Sequence, residues 1–230
     1  VHAFPKMTIL GAAGKAGIRI PTLCFLRGAN DIGMCRVCSV EVDGYDELIP
    51  ACRTKVEQGM VVRTNTPRVV EFRKKALGLI LTEHGLNTTN FCFSCAKNGS
   101  CELQDVCREC DVHEPIIPPE PKQESVLDSN PFLRYDSSLC TYCQRCVGAC
   151  NEMARNHTMT TIGRGRRRTI EAPFGPDWDT TTCESCGCCA EACPTGAITE
   201  KRRDSYRSWD IERKVLTTCP QCGTGCQVYF

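Results

Sequence analysis

Two cysteine runs with the same spacing constrain this chain more tightly than any other feature. Cys140, Cys143, Cys146 and Cys150 read C-x2-C-x2-C-x3-C, and Cys183, Cys186, Cys189 and Cys193 repeat it, with Pro194 following. This spacing holds a pair of [4Fe–4S] cubanes. Three cysteines two residues apart wrap one face of a cubane. The fourth, three residues on and running into a helix, reaches the neighbouring cluster. Cys140, Cys143, Cys146 and Cys193 are therefore expected on one cluster, and Cys183, Cys186, Cys189 and Cys150 on the other. A segment committed in this way folds around inorganic cores whose main chemistry is the passage of single electrons.

Composition narrows the class further. Cysteine accounts for 21 of 230 residues, a level at which a secreted disulfide scaffold has to be considered. The count is odd, the opening VHAFPKMTIL shows no charged region followed by a long apolar run, and the spacings are those of metal ligands. A disulfide framework is rejected on these grounds. So many thiolates suit a reducing compartment, and a cytoplasmic location is expected. No apolar stretch approaches the roughly 20 residues that span a bilayer. The net charge of +1 gives no basic field for nucleic acid. Arg164, Arg166, Arg167 and Arg168 form one cationic run, read as a solvated loop or as a docking patch for an acidic partner.

Three further cysteine groups flank the central pair. Cys24, Cys35, Cys38 and Cys52 are spaced C-x10-C-x2-C-x13-C. Their order matches the plant-type [2Fe–2S] arrangement with a longer first gap; a four-cysteine zinc site is the alternative. Gly28 and Gly33 lie in that loop, where backbone would pass close to sulfur. Around it, Thr8 to Ala16 reads as a short helix ended by Gly17, and Val37–Val42 and Met60–Arg63 read as strands. A helix is predicted from Pro67 to about His84, capped by Thr66 and stopped by Gly85, with Val69, Phe72, Ala76, Leu77 and Ile80 as its buried stripe. Beyond it come Cys92, Cys95 and Cys101, spaced C-x2-C-x5-C. Three thiolates leave a cubane one ligand short. His84 is the first candidate for the fourth, with Cys107 and Cys110 as competitors. Prolines at 115, 118, 119, 121 and 131 predict an extended connector. The insert at 151–182 holds the arginine run and Trp178 and is expected to cover one cluster. Cys188 falls out of register and is not expected to be a ligand. Finally Cys219, Cys222 and Cys226 form C-x2-C-x3-C, again one ligand short; a zinc knuckle is the alternative there.

In this order the motifs resemble a known family. IPTLCFLRGANDIGMCRVCSVEV and ACRTKVEQGMVVRT resemble the [2Fe–2S] domain shared by the large iron–sulfur subunit of respiratory complex I, [FeFe]-hydrogenases and cytosolic formate dehydrogenases. LILTEHGLNTTNFCFSCAKNGSCELQD resembles the segment that holds a cubane by one histidine and three cysteines, although seven residues separate His84 from Cys92 where the family has three. NPFLRYDSSLCTYCQRC resembles the ferredoxin module of hydrogenases and formate dehydrogenases, and CPQCGTGC resembles the opening of a molybdenum or tungsten bis-pterin domain.

The resemblance implies an α+β chain. It divides into a β-grasp [2Fe–2S] domain (1–65), a helical histidine/cysteine cluster domain (66–112), a proline-rich linker (113–130), a bacterial two-[4Fe–4S] ferredoxin domain (131–205) and the start of a bis-pterin domain (206–230). It implies one [2Fe–2S] and four [4Fe–4S] clusters, with a Mo/W-bis-pterin in a further C-terminal part. The activity implied is that of the alpha subunit of an NAD(P)-dependent formate dehydrogenase. Electrons would run from the pterin through the Cys219 cluster, the ferredoxin pair, and the His84 and Cys24 clusters to a flavin/NAD-binding subunit. No residue of this stretch is assigned to the formate chemistry. The alternative is a stand-alone electron-transfer subunit of a hydrogenase or bifurcating complex.

Overall fold

The computed structural model describes residues 2, 4, 6–84, 90–119, 126–171, 181–220 and 225–229. Gly85, Trp178 and Cys222 lie outside the described residues.

Thr8 starts helix α1 (Ile9–Lys15) by accepting the Gly11 amide at 3.2 Å, and Gly17, at φ +72°, supplies the left-handed residue that follows its end. The central strand β1 (Ser39–Val42) pairs antiparallel with β2 (Ile49–Pro50) and β3 (Val62–Arg63), in the order β2–β1–β3. Both predicted strands start later than their alternation suggests. A turn closed by Ser39 N to Arg36 O occupies the first, and one closed by Met60 N to Glu57 O the second. Ile9, Ala13, Ile20, Val40, Val42 and Ala51 pack into one core with Cys38 and Cys52.

Thr66 caps helix α2 (Pro67–Glu83) by accepting the Val69 amide, and Pro67 fills its first turn, where no amide donor is needed. Its buried face is Val69, Arg73, Leu77, Gly78 and Leu81. The expected stripe is thus rotated: Phe72 is exposed, and Ala76 and Ile80 are only half-buried. The cause is Arg73. Its Nε donates to Val37 O at 2.9 Å and its Nη2 to Ser39 O and Thr64 O at 3.3 Å. The cation thereby satisfies three strand carbonyls inside the packing and displaces an apolar residue to the surface.

Short helix α3 (Asn90–Ser94) and α4 (Glu102–Glu109) follow. Leu103, Val106 and Cys107 of α4 join Leu77 and Leu81 of α2 and Leu23 and Val37 of the first region in a second core. The first two cysteine regions therefore share one hydrophobic interior. The proline-rich stretch does not hang free at its start. Ile116 N donates to Gly78 O at 3.3 Å and Thr82 Oγ1 to Ile117 O at 3.1 Å, which lays it along α2.

The third core belongs to an antiparallel sheet ordered β4 (Val126–Leu127), β5 (Leu133–Asp136), β8 (Ile198–Glu200). Leu133, Tyr135, Ile170 and Ile198 pack there with Cys140, Cys146, Cys150, Cys189 and Cys193. Helix α5 (Arg145–Gly148), continued by a π-turn at Ala149–Met153, carries Cys146 and Cys150 in the second half of the first cysteine run, and α6 (Cys188–Ala192) carries Cys189 and ends just before Cys193 in the second. Within the described part of the insert, β6 (Thr160–Ile162) and β7 (Thr169–Glu171) form a hairpin with the arginine run at its turn. Met159 and Ile170 from the insert reach the core that contains the cysteines. A last hairpin joins β9 (Leu216–Thr218) to β10 (Gln227–Tyr229). Among the described residues no helix is long and apolar enough to cross a membrane.

Candidate metal centres

The two central runs open alike and part at their fourth cysteines, since Cys150 lies in the π-turn and Cys193 is extended. Tyr142 and Gln144 in the first have φ of 54° and 62°; Ser185 and Gly187, at the same places in the second, have 53° and 78°. These left-handed residues curl each loop so that amides turn inward. Tyr142 N donates to Cys140 Sγ at 3.3 Å, and Ser185 N donates to Cys183 Sγ at 3.4 Å. Concavities of this type accommodate anionic iron–sulfur cores.

The fourth cysteines cross over. Cys150 lines a narrow cavity with Cys183, Cys186 and Cys189, whereas Cys143 feels Cys193 and Cys140. Burial first, and then these neighbouring sulfurs, push Cys143 and Cys189 up to about 12. A bound cation reverses that preference, because a coordinated thiol is deprotonated outright. Cys188 is half-buried beside Cys186 and lines the same cavity, although it is off the register of the run.

In the first region Cys24, Cys38 and Cys52 are buried and Cys35 is half-buried. Cys35 N donates to Cys24 Sγ at 3.5 Å. The four thiols act in two pairs: contact with Cys24 lowers Cys35 to about 6, and contact with Cys52 lowers Cys38, while Cys24 and Cys52 are raised in exchange. Gly33, at φ +68°, passes 3.3 Å from Pro50 at its Cβ position, so the loop is tight there.

His84 ends α2 as its C-cap and is buried. Its Nδ1 lies 2.7 Å from the Leu139 carbonyl oxygen. A carbonyl only accepts, so Nδ1 carries the proton and any metal at this ring is held through Nε2. A cavity of about 400 Å³ is lined by His84, Cys92, Cys95, Cys101 and Cys107. Cys110 is not among its lining residues, and its thiol sits near Arg73, Lys74 and Arg19. Burial pushes Cys101 up to about 11 and Cys107 up to about 12. The structure thus gathers His84 and Cys107 with the three expected cysteines and leaves Cys110 aside. In the last motif Cys219 N donates to Cys226 O at 2.8 Å; Cys219 is half-buried and Cys226 exposed.

Among the described residues no three His, Cys, Asp or Glu side chains converge tightly enough to grip a single metal ion. The fit to larger, polynuclear cores rests on positive features: buried thiols in sets of three and four, no disulfide among the described cysteines, and amides aimed at sulfur.

Sequence reasoning missed the residues that join these centres. The buried Asn30 donates through Nδ2 to Cys24 O at 2.7 Å and to Cys143 O at 3.0 Å. Gly148 packs against the Ala29 backbone, with no room for a Cβ, and a Cβ on Gly196 would sit 2.6 Å from Cys95 Sγ. None has a spacing signal. Each depends on contact between segments far apart in the chain.

Comparisons with known proteins agree in outline. Residues 1–67 match the 2Fe-2S iron-sulfur cluster binding domain, 73–115 the NADH-ubiquinone oxidoreductase-G iron-sulfur binding region, and 176–199 a 4Fe-4S binding domain. The chain is 36% identical over 225 residues to a G-type NADH-quinone oxidoreductase subunit of Rhizobium meliloti, matching 96% of this chain but only 25% of that protein. It is 32% identical to the gamma subunit of the NAD-reducing hydrogenase HoxS of Cupriavidus necator, covering 85% of this chain and 81% of that subunit. A crystal structure of NAD+-reducing [NiFe]-hydrogenase in the H2-reduced state superposes with a TM-score of 0.78 at 27% identity, over 87% of this chain and 83% of that one. The chain thus spans about a quarter of the first of these relatives and most of the second.

Proposed function

Since the chain belongs to the iron–sulfur family that unites the N-terminal region of 75 kDa-type complex I subunits with the gamma subunit of NAD-reducing hydrogenase, we propose that it is the electron-transfer module of an NAD(P)-linked oxidoreductase. One observation carries this reading. The candidate centres are joined by single hydrogen bonds between loops: Asn30 links Cys24 to Cys143, and His84 reaches Leu139, the residue before Cys140. Clusters bound at these residues would supply one-electron steps, with potentials set by ligands, charge, hydrogen bonds and exposure.

The chain's own side chains have assignable tasks in this reading. Cys24, Cys35, Cys38 and Cys52 hold a [2Fe–2S] centre. His84, Cys92, Cys95 and Cys101 hold a cubane, with the Leu139 carbonyl fixing the ring. Cys140, Cys143, Cys146 and Cys193 hold a second, and Cys183, Cys186, Cys189 and Cys150 a third. Cys219, Cys222 and Cys226 contribute to a fourth. Met159 and Ile170 exclude water from the central pair.

Two finer readings follow from the final motif and from the hydrogenase match. In the first, C-x2-C-x3-C opens a Mo/W-bis-pterin domain and the complex oxidises formate, or runs the reverse, with a flavin/NAD subunit as partner. In the second, the chain is a separate subunit of a hydrogenase or bifurcating complex, a reading that fits its 32% identity with the hydrogenase's gamma subunit. Anaerobic purification of the native complex separates them. A polypeptide well above 25.5 kDa, with Mo or W and clusters reduced by formate, supports the first. A chain of that mass, with clusters reduced by H2 and not by formate, supports the second. Material with no iron and no acid-labile sulfide overturns both.

A further inference from the structure

We propose that Arg145 is a shared positioning and potential-tuning residue, whose buried guanidinium locks three cluster loops together and favours the reduced form of the centres they hold. The proposal rests on the electron-transfer reading above.

Arg145 lies within the first central run, directly before Cys146, and is only 7% exposed. Its Nη1 donates to Glu102 Oε2 at 2.7 Å and to Leu23 O at 3.3 Å. Leu23 directly precedes Cys24, and Glu102 directly follows Cys101. One side chain therefore ties together the residues adjoining candidate ligands of three different centres, across separations of 122 and 43 residues.

The guanidinium is also placed to act as a charge. Its side chain is 8% exposed, while that of Glu102 is 49% exposed. Water screens the carboxylate much more than the cation, so a positive excess remains inside. Among the described residues the buried Arg145 Nε–H has no hydrogen-bond partner, which is rare for such a group and calls for an anionic neighbour. Cys143 and Cys193 both lie within its electrostatic reach. A guanidinium is a permanent cation in proteins, so the side chain carries its charge into the interior.

The sign follows directly. Reduction adds one electron, and so one negative charge, to a centre. A fixed cation in a poorly screened interior stabilises the more negative form, and net charge and hydrogen bonds to sulfur set cluster potentials. Removing the cation lowers the midpoints, whereas removing the carboxylate beside it raises them. A merely structural role predicts no such opposition.

The test is an EPR-monitored redox titration of the full chain in its native complex, purified anaerobically, with iron and sulfide counted for each variant. Arg145→Met is expected to shift the reduction equilibrium of the Cys140/Cys143/Cys146/Cys193 centre about tenfold toward oxidised, about 59 mV for one electron. Smaller downward shifts are expected at the Cys24 and His84 centres. Arg145→Lys retains most of the wild-type midpoint, and Glu102→Gln moves the same centres upward. The exposed control Arg19→Met, which breaks a surface pair with Glu109, leaves all three in place. Wild-type midpoints in fully loaded Arg145→Met overturn the proposal. If Arg145→Met does not load iron, Glu102→Gln decides: an upward shift supports the proposal, and an unchanged or lower midpoint overturns it. A wild-type chain with no reducible centre overturns the electron-transfer reading and this proposal together, whereas a loaded wild type with unmoved variants overturns this proposal alone.

Discussion

The two central cysteine runs share spacing, left-handed residues and an amide-to-sulfur hydrogen bond, yet they live in different surroundings. All four cysteines of the first run are buried; in the second, Cys183 is half-buried and Cys186 exposed. The first run also touches both neighbouring regions, through Asn30 to Cys143, the Ala29 backbone against Gly148, and Arg145 to Glu102 and Leu23. The second is held by its own sheet and by Asn130, which donates to Ser185 Oγ at 2.9 Å, and it meets the 92–101 region just past its end, where Cys101 Sγ donates to Pro194 O at 3.5 Å. Loop geometry is therefore a local consequence of cysteine spacing. Position in the network is set by what packs outside the loop. The first run sits as an internal junction, and the second turns its Cys183–Cys186 end outward.

The largest expected contrast comes from deleting equivalent ligands. Cys143→Ala should lose its centre and destabilise the chain by about 4–5 kcal/mol or more, because metal binding is coupled to folding and three regions meet there. Cys186→Ala should lose one centre but leave the [2Fe–2S] signal and most of the melting temperature. Iron and sulfide counts, EPR and thermal unfolding check both, and equal damage from the two would remove the distinction between junction and edge.

Glycine substitutions sharpen the same contrast at smaller scale. Gly148→Ala in helix α5 would ordinarily gain up to ~1 kcal/mol from helix propensity. Here its Cβ meets the Ala29 backbone, so a net loss of about 1–3 kcal/mol is expected from overpacking. Gly187 in the second run has open space around it and matches Gln144 of the first in conformation. Gly187→Asn should therefore cost under about 1 kcal/mol. Chemical denaturation of both variants in iron-loaded protein settles the order.

Asn30→Ala removes two buried hydrogen bonds and leaves two carbonyls unpaired, at a cost of about 1–3 kcal/mol. It should also loosen the Cys24 loop from the Cys143 loop, seen as faster amide exchange at both. A stability loss without that paired loosening would place Asn30 in local loop structure only.

These examples also mark how far the sequence speaks for itself. The Thr66–Pro67 cap predicted α2 because capping is short-range physics, and the fold places Cys150 beside Cys183, Cys186 and Cys189, as the spacing led one to expect. Three cysteines short of a ligand pointed to His84, which the fold does bring to their cavity along with Cys107. Short-range patterning failed where an unusual residue was drawn inside. Arg73 took the interior position given to Phe72 because strand carbonyls needed a donor. Asn30, Arg145 and Gly196 gave no signal at all, since their partners lie elsewhere in the chain and only the assembled fold supplies them. The formate dehydrogenase expectation rested on a short tail motif, and the comparisons support the broader family rather than that activity.

The central claim is that these thiols and His84 hold a connected set of iron–sulfur centres with the first run at its junction. The most direct measurement is an anaerobic iron and acid-labile sulfide determination joined to EPR during stepwise dithionite reduction. The account predicts brown protein with sulfide matching iron, one binuclear signal and several cubane signals, and the loss of only one cubane signal in Cys186→Ala. Colourless protein that binds zinc, carries no labile sulfide and stays silent under dithionite would contradict it.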